Sequence, residues 1–292
     1  MIECGWRTVV VDSRADLSLS DECLRIAGAD EKQIPLDQIG TLLIHSQQAT
    51  VTTALISALI EKGIRVVFCN RKHHPAGELQ DYGTHTFSAG RIREQADWDD
   101  EKKDRLWEEI VRRKIRMQQK VLERFSPDSQ GALFPYEERL LPGDPGNCEG
   151  QAAKVYFHRL FGYSFSREKE NDVNAALNYG YAILLSAFNR AVTLYGYHPS
   201  LGIHHRSCVN PYNLGCDLME PFRPFVDAIV RENGEREFDA AYRDLLIRLL
   251  YMPVRYGRAI YEMQDGVCLF TEDCLRFLQG KGEPVGEVGL AG

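Results

Sequence analysis

Three short stretches carry side chains whose types and spacing could hold a divalent ion or act on a phosphate. Glu149 opens a run in which Ala152, Ala153, Tyr156 and Leu160 follow at offsets of 3, 4, 7 and 11. One face of a helix collects those offsets, so the carboxylate is aimed where the apolar stripe is aimed. A carboxylate facing an interior is costly unless it is paired or bound to metal. On an exposed first turn it would only favour the helix dipole. His204 and His205 follow the Gly/Pro-rich turn from Gly196 to Gly202, which places them on a loop or at the start of an element. Imidazoles there are credible ligands when carboxylates converge on them, and partly exposed polar groups otherwise. In the run from Cys216 to Asp227, Asp217 and Glu220 are three apart and share a helix face. An acidic first turn with Pro221 and Pro224 near a helix start would look the same. The signal lies in the set: a Glu, a His and a second carboxylate on separate elements are ligand types for Mg²⁺ or Mn²⁺. Such an ion activates an oxygen nucleophile and neutralises charge on a phosphate in transfer.

The elements that must position these residues change character along the chain. Over the first 80 or so residues the pattern is one of strands: Arg7-Thr-Val-Val-Val11, Leu24-Arg-Ile26, Thr41-Leu-Leu-Ile44 and Ile64 to Cys69, with a helix between Thr50 and Lys62 stopped by Gly63. Residues 75–90 read as a connector carrying one short hairpin. From Arg91 onward the pattern is helical: a long helix over Glu101–Phe125, then Glu149–Phe161, Val173–Tyr195, Leu218 to about Arg231, Phe238–Tyr251 and Glu272–Gln279. The expected fold is α+β, with a small β-rich, sandwich-like N-terminal domain at 1–90, including the connector. A larger all-α domain at 91–279 and a flexible, glycine-rich tail at 280–292 complete it.

The 292 residues carry 35 Lys+Arg against 42 Asp+Glu, a net charge of −7, which excludes a uniformly basic nucleic-acid coat. It does not exclude a local groove, because phosphates respond to the nearby field. The base is uneven: 102–124 holds nine basic and four acidic residues, either a phosphate-tracking surface or the solvated face of a long helix. None of the eight cysteines forms a C-x-x-C pair, and no run approaches the roughly 18 apolar residues of a membrane helix. Reduced thiols in a cytoplasmic protein are expected.

Four ordered motifs together resemble the CRISPR-associated endonuclease/integrase family. They are Glu149-Gly-Gln-Ala-Ala-Lys-Val-Tyr-Phe157, Asn171-Asp-Val-Asn-Ala-Ala-Leu-Asn-Tyr-Gly-Tyr-Ala182, Pro199-Ser-Leu-Gly-Ile-His-His205 and Asp217-Leu-Met-Glu-Pro-Phe-Arg-Pro224. The resemblance covers the chain to about Leu278. It implies Glu149, His205 and Glu220 as catalytic metal ligands, with His205 selected by its count from Gly202. Asp217 is a further ligand or a tuning residue, and Lys154 and Arg223 are candidates for DNA contact. It further implies an Mg²⁺ or Mn²⁺ cofactor, double-stranded DNA as substrate, and a homodimer formed mainly through the N-terminal domains. Two such dimers would flank a dimer of a small ferredoxin-like CRISPR adaptation nuclease. The implied reaction joins the 3′-hydroxyl ends of short duplex DNA to the repeat ends of a CRISPR array. Length and the Cys216–Arg223 run look most like type II members, which accompany a single-protein RNA-guided effector. Two other readings compete. A catalytically silent DNA-binding scaffold would keep the fold without the ligand set. A transposon-encoded integrase would be expected to carry extra DNA-binding domains, for which no room is evident after residue 280.

Overall fold

The computed structural model describes residues 7–71, 75–79, 88–234, 236–282 and 285–290. The chain divides into two compact units, Met1–Gly83 and Thr84–Gly292, so the division falls earlier than the expected residue 90.

The first unit holds two four-stranded sheets. One, in the order β1-β5-β7-β8, is made of β1 (Arg7–Val11), β5 (Ile39–Ile44), β7 (Arg65–Cys69) and β8 (Pro75–Glu78). β1, β5 and β7 run parallel and β8 is antiparallel to β7. The other, in the order β4-β3-β2-β6, is made of β2 (Asp16–Ser20), β3 (Cys23–Ala27), β4 (Glu31–Pro35) and β6 (Thr50–Val51). Every residue of β5 is buried, as expected for a central strand covered on both faces. α1 (Thr53–Glu61) is capped by the Thr52 side chain, which accepts the N–H of Leu55, and ends at Gly63 with φ of 63°. Val9, Leu17, Leu24, Leu42, Leu55 and Val66 meet in one core, so both sheets and α1 share it. β4 had no signal in the sequence because Glu31, Lys32 and Gln33 are exposed on an edge strand. Most of the expected hairpin at 75–90 lies outside the described residues.

The second unit is built on α3 (Asp100–Phe125), which follows α2 (Ser88–Ala96) and is capped by the Asp99 side chain accepting the Lys102 N–H. α3 buries residues from Leu106 to Leu122 and packs against α5 (Cys148–Phe161), α8 (Arg223–Asn233), α10 (Met263–Leu278) and the short α4 (Phe134–Glu138). α6 (Asp172–Leu194) packs on α7 (Asn213–Leu218), α8, α9 (Ala240–Ile247) and α10. Pro221 and Pro224 interrupt the helix expected over 218–231. α7 stops at Leu218, a tight turn spans Glu220–Phe222, and α8 starts at Arg223 with Pro224 in its first turn.

Two expectations for this unit are corrected. It is not all-α: β9 (Pro253–Tyr256), β10 (Ala259–Glu262) and β11 (Val288–Leu290) form an antiparallel sheet in the order β10-β9-β11. Nor is the tail loose where it is described, because Val285 and Val288 are buried and β11 pairs with β9. The Arg113 guanidinium on α3 donates to the carbonyls of Val285 and Gly286. A Cβ at Gly286 would lie 2.8 Å from the Tyr256 ring, so the glycine that made the tail look unstructured is what lets it lie on that ring.

Candidate active site

The first turn of α5 fixes Glu149. The backbone reverses through Gly143, Asp144 and Asn147, all at positive φ. The Asp144 carboxylate accepts the N–H groups of Cys148 and Glu149 at 2.7 and 2.9 Å, and the Asn147 side chain accepts that of Gly150. The orphan amides of the helix start are thereby satisfied, and the Glu149 backbone is held from both sides. Ala152, Tyr156 and Leu160 are buried along the same face, while the Glu149 side chain stands at the rim, 27% exposed.

Glu220 lies opposite, buried in the turn between α7 and α8. One of its carboxylate oxygens accepts the Lys114 ammonium, and the other accepts Arg223 Nε at 2.8 Å. Lys114 comes from the middle of α3, and the same ammonium donates to Glu149 Oε1. Burial by itself would raise the Glu220 pKa, but Arg223 and Lys114 overcome it and hold the group down at about 2. Burial disfavours the charged ammonium, yet Glu220 and Glu149 outweigh that and raise the Lys114 pKa, so the lysine stays charged.

The histidine loop is organised by Asp217, the penultimate residue of α7, which has no exposed surface. Its carboxylate accepts the backbone N–H groups of Ile203, His204 and His205 at 2.8, 3.0 and 3.1 Å. It also pairs with His205 Nδ1 at 2.5 Å. That contact raises the His205 pKa against its partial burial, and Glu220 adds to the rise. With Nδ1 bound to Asp217, Nε2 is the nitrogen left to face a ligand. Only glycine fits at 202, where a Cβ would sit 2.7 Å from the Asp217 carboxylate and 2.5 Å from the His205 carbonyl. The two histidines are thereby distinguished. His204 stacks flat on Trp107 of α3 with ring centroids 4.1 Å apart, whereas His205 meets the edge of that ring and binds Asp217. Asp217 and Glu220 do not share one helix face: the first turns toward the loop, the second toward Lys114.

Glu149 and Glu220 thus share one cation, and His205 is electrostatically coupled to Glu220. Two carboxylates and an imidazole suit a hard or borderline divalent ion, so the donor chemistry fits Mg²⁺ or Mn²⁺. As they stand, no three His, Cys, Asp or Glu side chains among the described residues are grouped closely enough to chelate an ion. The Lys114 ammonium bridges the two carboxylates instead.

A cleft of about 230 Å³ opens beside this cluster, lined by Lys114, Glu149, Arg167, Tyr181, Glu220 and Arg223 among others. The guanidinium groups of Arg167 and Arg223 lie 5.4 and 4.6 Å from the Tyr181 ring centroid. The Arg167 guanidinium donates to the neutral side chains of Asn174 and Asn178. The Tyr181 hydroxyl donates to Asp227, which also accepts the Tyr156 hydroxyl at 3.0 Å. Arg223, a candidate DNA contact, is committed to Glu220. Lys154, the other, is exposed on α5 and does not line the cleft.

Lys114, Arg167 and Asp227 escaped the sequence reading. A signal existed for Lys114, which sits seven residues after Trp107 and four after Ile110, on the stripe that α3 buries. In the sequence it was one base in a basic run. Seven of the nine basic residues of 102–124 pair with acidic groups of the second unit: Lys103, Arg105, Arg112, Arg113, Lys114, Arg116 and Arg124. Most of the run is therefore ion-paired, and two of its bases, Arg113 and Lys114, are buried in the core that α3 supplies.

Among the described residues the cysteines are free thiols, and no helix is long and apolar enough to cross a membrane. The profile of the family described as CRISPR associated protein Cas1 matches residues 8–140 and 146–237. The CRISPR-associated endonuclease Cas1 of Neisseria meningitidis serogroup C (strain 8013) is 37% identical over 260 residues, which cover 87% of this chain and 86% of that protein. Among solved structures, a casposase bound to integration product superposes with a TM-score of 0.79 at 16% identity, covering 96% of this chain and 92% of that one. A Cas6-RT-Cas1–Cas2 complex superposes with a TM-score of 0.72 at 16% identity, covering 96% of this chain and 35% of that one. At that identity the likeness to both structures is one of fold.

Proposed function

The chain belongs to the Cas1 family of CRISPR-associated endonucleases, and from that premise we propose that it is a metal-dependent integrase of CRISPR adaptation. In this reading it joins the 3′-hydroxyl ends of short duplex DNA to the repeat ends of a CRISPR array by transesterification. The observation that carries the proposal is the meeting of Glu149 and Glu220 on one cation beside a histidine whose Nδ1 is fixed by a buried carboxylate. Glu149, His205 and Glu220 would hold Mg²⁺ or Mn²⁺. The ion would lower the pKa of the attacking hydroxyl and neutralise charge on the phosphate. The protein's own groups do the rest. Asp217 holds His205 by Nδ1 and leaves Nε2 for a ligand, Arg223 and Lys114 keep Glu220 ionised, and Arg167, which donates to the neutral amides of Asn174 and Asn178, brings a positive charge to the cleft. No Ser or Cys nucleophile is needed, because the DNA supplies the hydroxyl.

The proposed assembly is a homodimer, two of which flank a dimer of a small ferredoxin-like partner, in a system with a single-protein RNA-guided effector. The Cas1–Cas2 assembly among its structural relatives supports the pairing with a Cas2-type partner, and the casposase bound to integration product supports DNA joining. The test is strand transfer of short duplexes into a plasmid bearing leader and repeat, with Mn²⁺ or Mg²⁺. Glu149→Ala, His205→Ala and Glu220→Ala are each expected to lower transfer by at least about 100-fold, the scale of lost metal or transition-state contacts. Wild-type rates in any of them would refute the site. The scaffold alternative predicts no metal binding at Glu149, which calorimetry distinguishes.

A further inference from the structure

We propose that Lys114 is a resident counter-cation of this site: its ammonium holds Glu149 and Glu220 together before a divalent ion arrives and competes with that ion for them. The inference rests on the metal reading above and adds to it a residue that neither the motifs nor the spacing singled out.

The argument starts from position. Lys114 leaves the centre of α3, a helix anchored along both flanks by buried side chains, and its own side chain is 7% exposed. Few lysines are buried to that degree without a reason in their partners. Here the partners are two carboxylates from separate elements, α5 and the turn before α8, and Lys114 donates to both. Arg223 takes the remaining oxygen of Glu220. Glu220, also 7% exposed, is therefore fully engaged by cations. A buried carboxylate pair without a counter-charge repels itself and bears the full cost of desolvation, so some cation must hold it in the folded protein.

The same contact sets up a competition. The oxygens a divalent ion would take are those that Lys114 occupies, and the ligand-type side chains do not close into a chelate as they stand. Loading requires the ammonium to release at least one carboxylate. A flexible four-carbon stem allows this, where a rigid guanidinium fork engaging both carboxylates would resist it. Lys114 thus makes the metal-free site stable and the metal-bound site less tight than the carboxylates alone would make it. Both consequences follow from binding linkage, since whatever stabilises the unbound form opposes the ligand.

The test uses Lys114→Met, which keeps the length and removes the charge, with Lys114→Arg as the charge-conserving control. Mn²⁺ is titrated into each full-length protein by calorimetry, and thermal denaturation is followed in chelator and in saturating Mn²⁺. Lys114→Met is expected to bind Mn²⁺ at least tenfold more tightly than wild type and to melt lower in chelator. That gap should close when Mn²⁺ is added. Lys114→Arg should bind no more tightly than wild type. Should Lys114→Met fold only in the presence of Mn²⁺, the counter-cation role is supported in its strongest form. Equal or weaker Mn²⁺ affinity in Lys114→Met would overturn the inference, as would a melting gap that Mn²⁺ leaves unchanged, which marks a purely structural lysine. Failure of the underlying reading looks different: neither wild type nor Lys114→Met would then show Mn²⁺ binding that Glu149→Ala abolishes.

Discussion

Glu220 and Asp227 are two buried carboxylates only seven residues apart, yet their surroundings drive them in opposite directions. Burial raises the pKa of each as its largest influence. At Glu220 the cations Arg223 and Lys114 overturn it and bring the group to about 2. At Asp227 the hydroxyls of Tyr181 and Tyr156 and more remote cations offset it only in part, and the group stays raised at about 6. Neutral hydrogen bonds do not replace a counter-charge in a low-dielectric interior. Glu220 is thereby kept ionised, as its proposed part in holding a metal requires, while Asp227 sits behind Tyr181 as a support that titrates nearer neutrality.

Removing the charge at Glu220 tests that contrast with the largest effect. Glu220→Gln should reduce strand transfer at least about 100-fold, because the amide binds a hard cation poorly, deprives Arg223 of its acid and leaves Lys114 with Glu149 alone. Near-normal transfer would show that the ionised state of Glu220 is not what the site uses.

Asp217 comes next. Asp217→Asn removes the charge that fixes His205 Nδ1, so metal affinity or activity should fall about 10- to 100-fold, the usual cost of losing such an orienting partner. Proton NMR should show the His205 pKa, raised in the wild type chiefly by the Asp217 contact, returning toward its ordinary value. An unchanged titration would detach the histidine from this carboxylate.

Asp227 yields a stability effect with a definite sign. Its folded pKa is about 6 against an ordinary 3.8, so the folded state holds an extra proton between those values. Its stabilising contribution is present below about pH 4 and is lost as pH rises through about 6. Melting temperatures of wild type minus Asp227→Asn should therefore fall across that window and level off above it. At about 1.4 kcal/mol per pKa unit, the change is on the order of 3 kcal/mol at most. A flat difference would remove the contrast with Glu220.

The smallest effect is expected at Lys154, which is exposed and outside the cleft. Lys154→Ala should weaken DNA binding less than about threefold and reduce the salt slope by about one at most. A larger loss would place a DNA path along α5.

How much was legible follows from how local each signal is. The helix face of Glu149 and the stop at Gly63 depend on residues within one or two turns, so spacing revealed them. β4, β9, β10 and β11 are only three to five residues long; β4 and β10 are largely exposed edge strands, and β11 finds its partner β9 only across the whole of α10. Alternation over three to five residues is too weak a signal to announce them. Tail residues 285–290 depend on Arg113 and Tyr256, which lie more than 170 and about 30 positions away. The role of Asp217 was hidden for a similar reason. A carboxylate three residues before another reads as a partner on the same face until two prolines break the helix between them.

The sequence by itself determined the order of the main helices, the ligand-type residues and, through four motifs, the family. It could do so because residue type and short-range period survive in one dimension. Only the tertiary structure decided which carboxylate meets which cation: Glu220 with Lys114 and Arg223, Asp217 with the His205 loop, Asp227 with two tyrosines. Charge state in an interior is set by groups within a few ångströms in space, and those groups come from helices up to about a hundred residues apart.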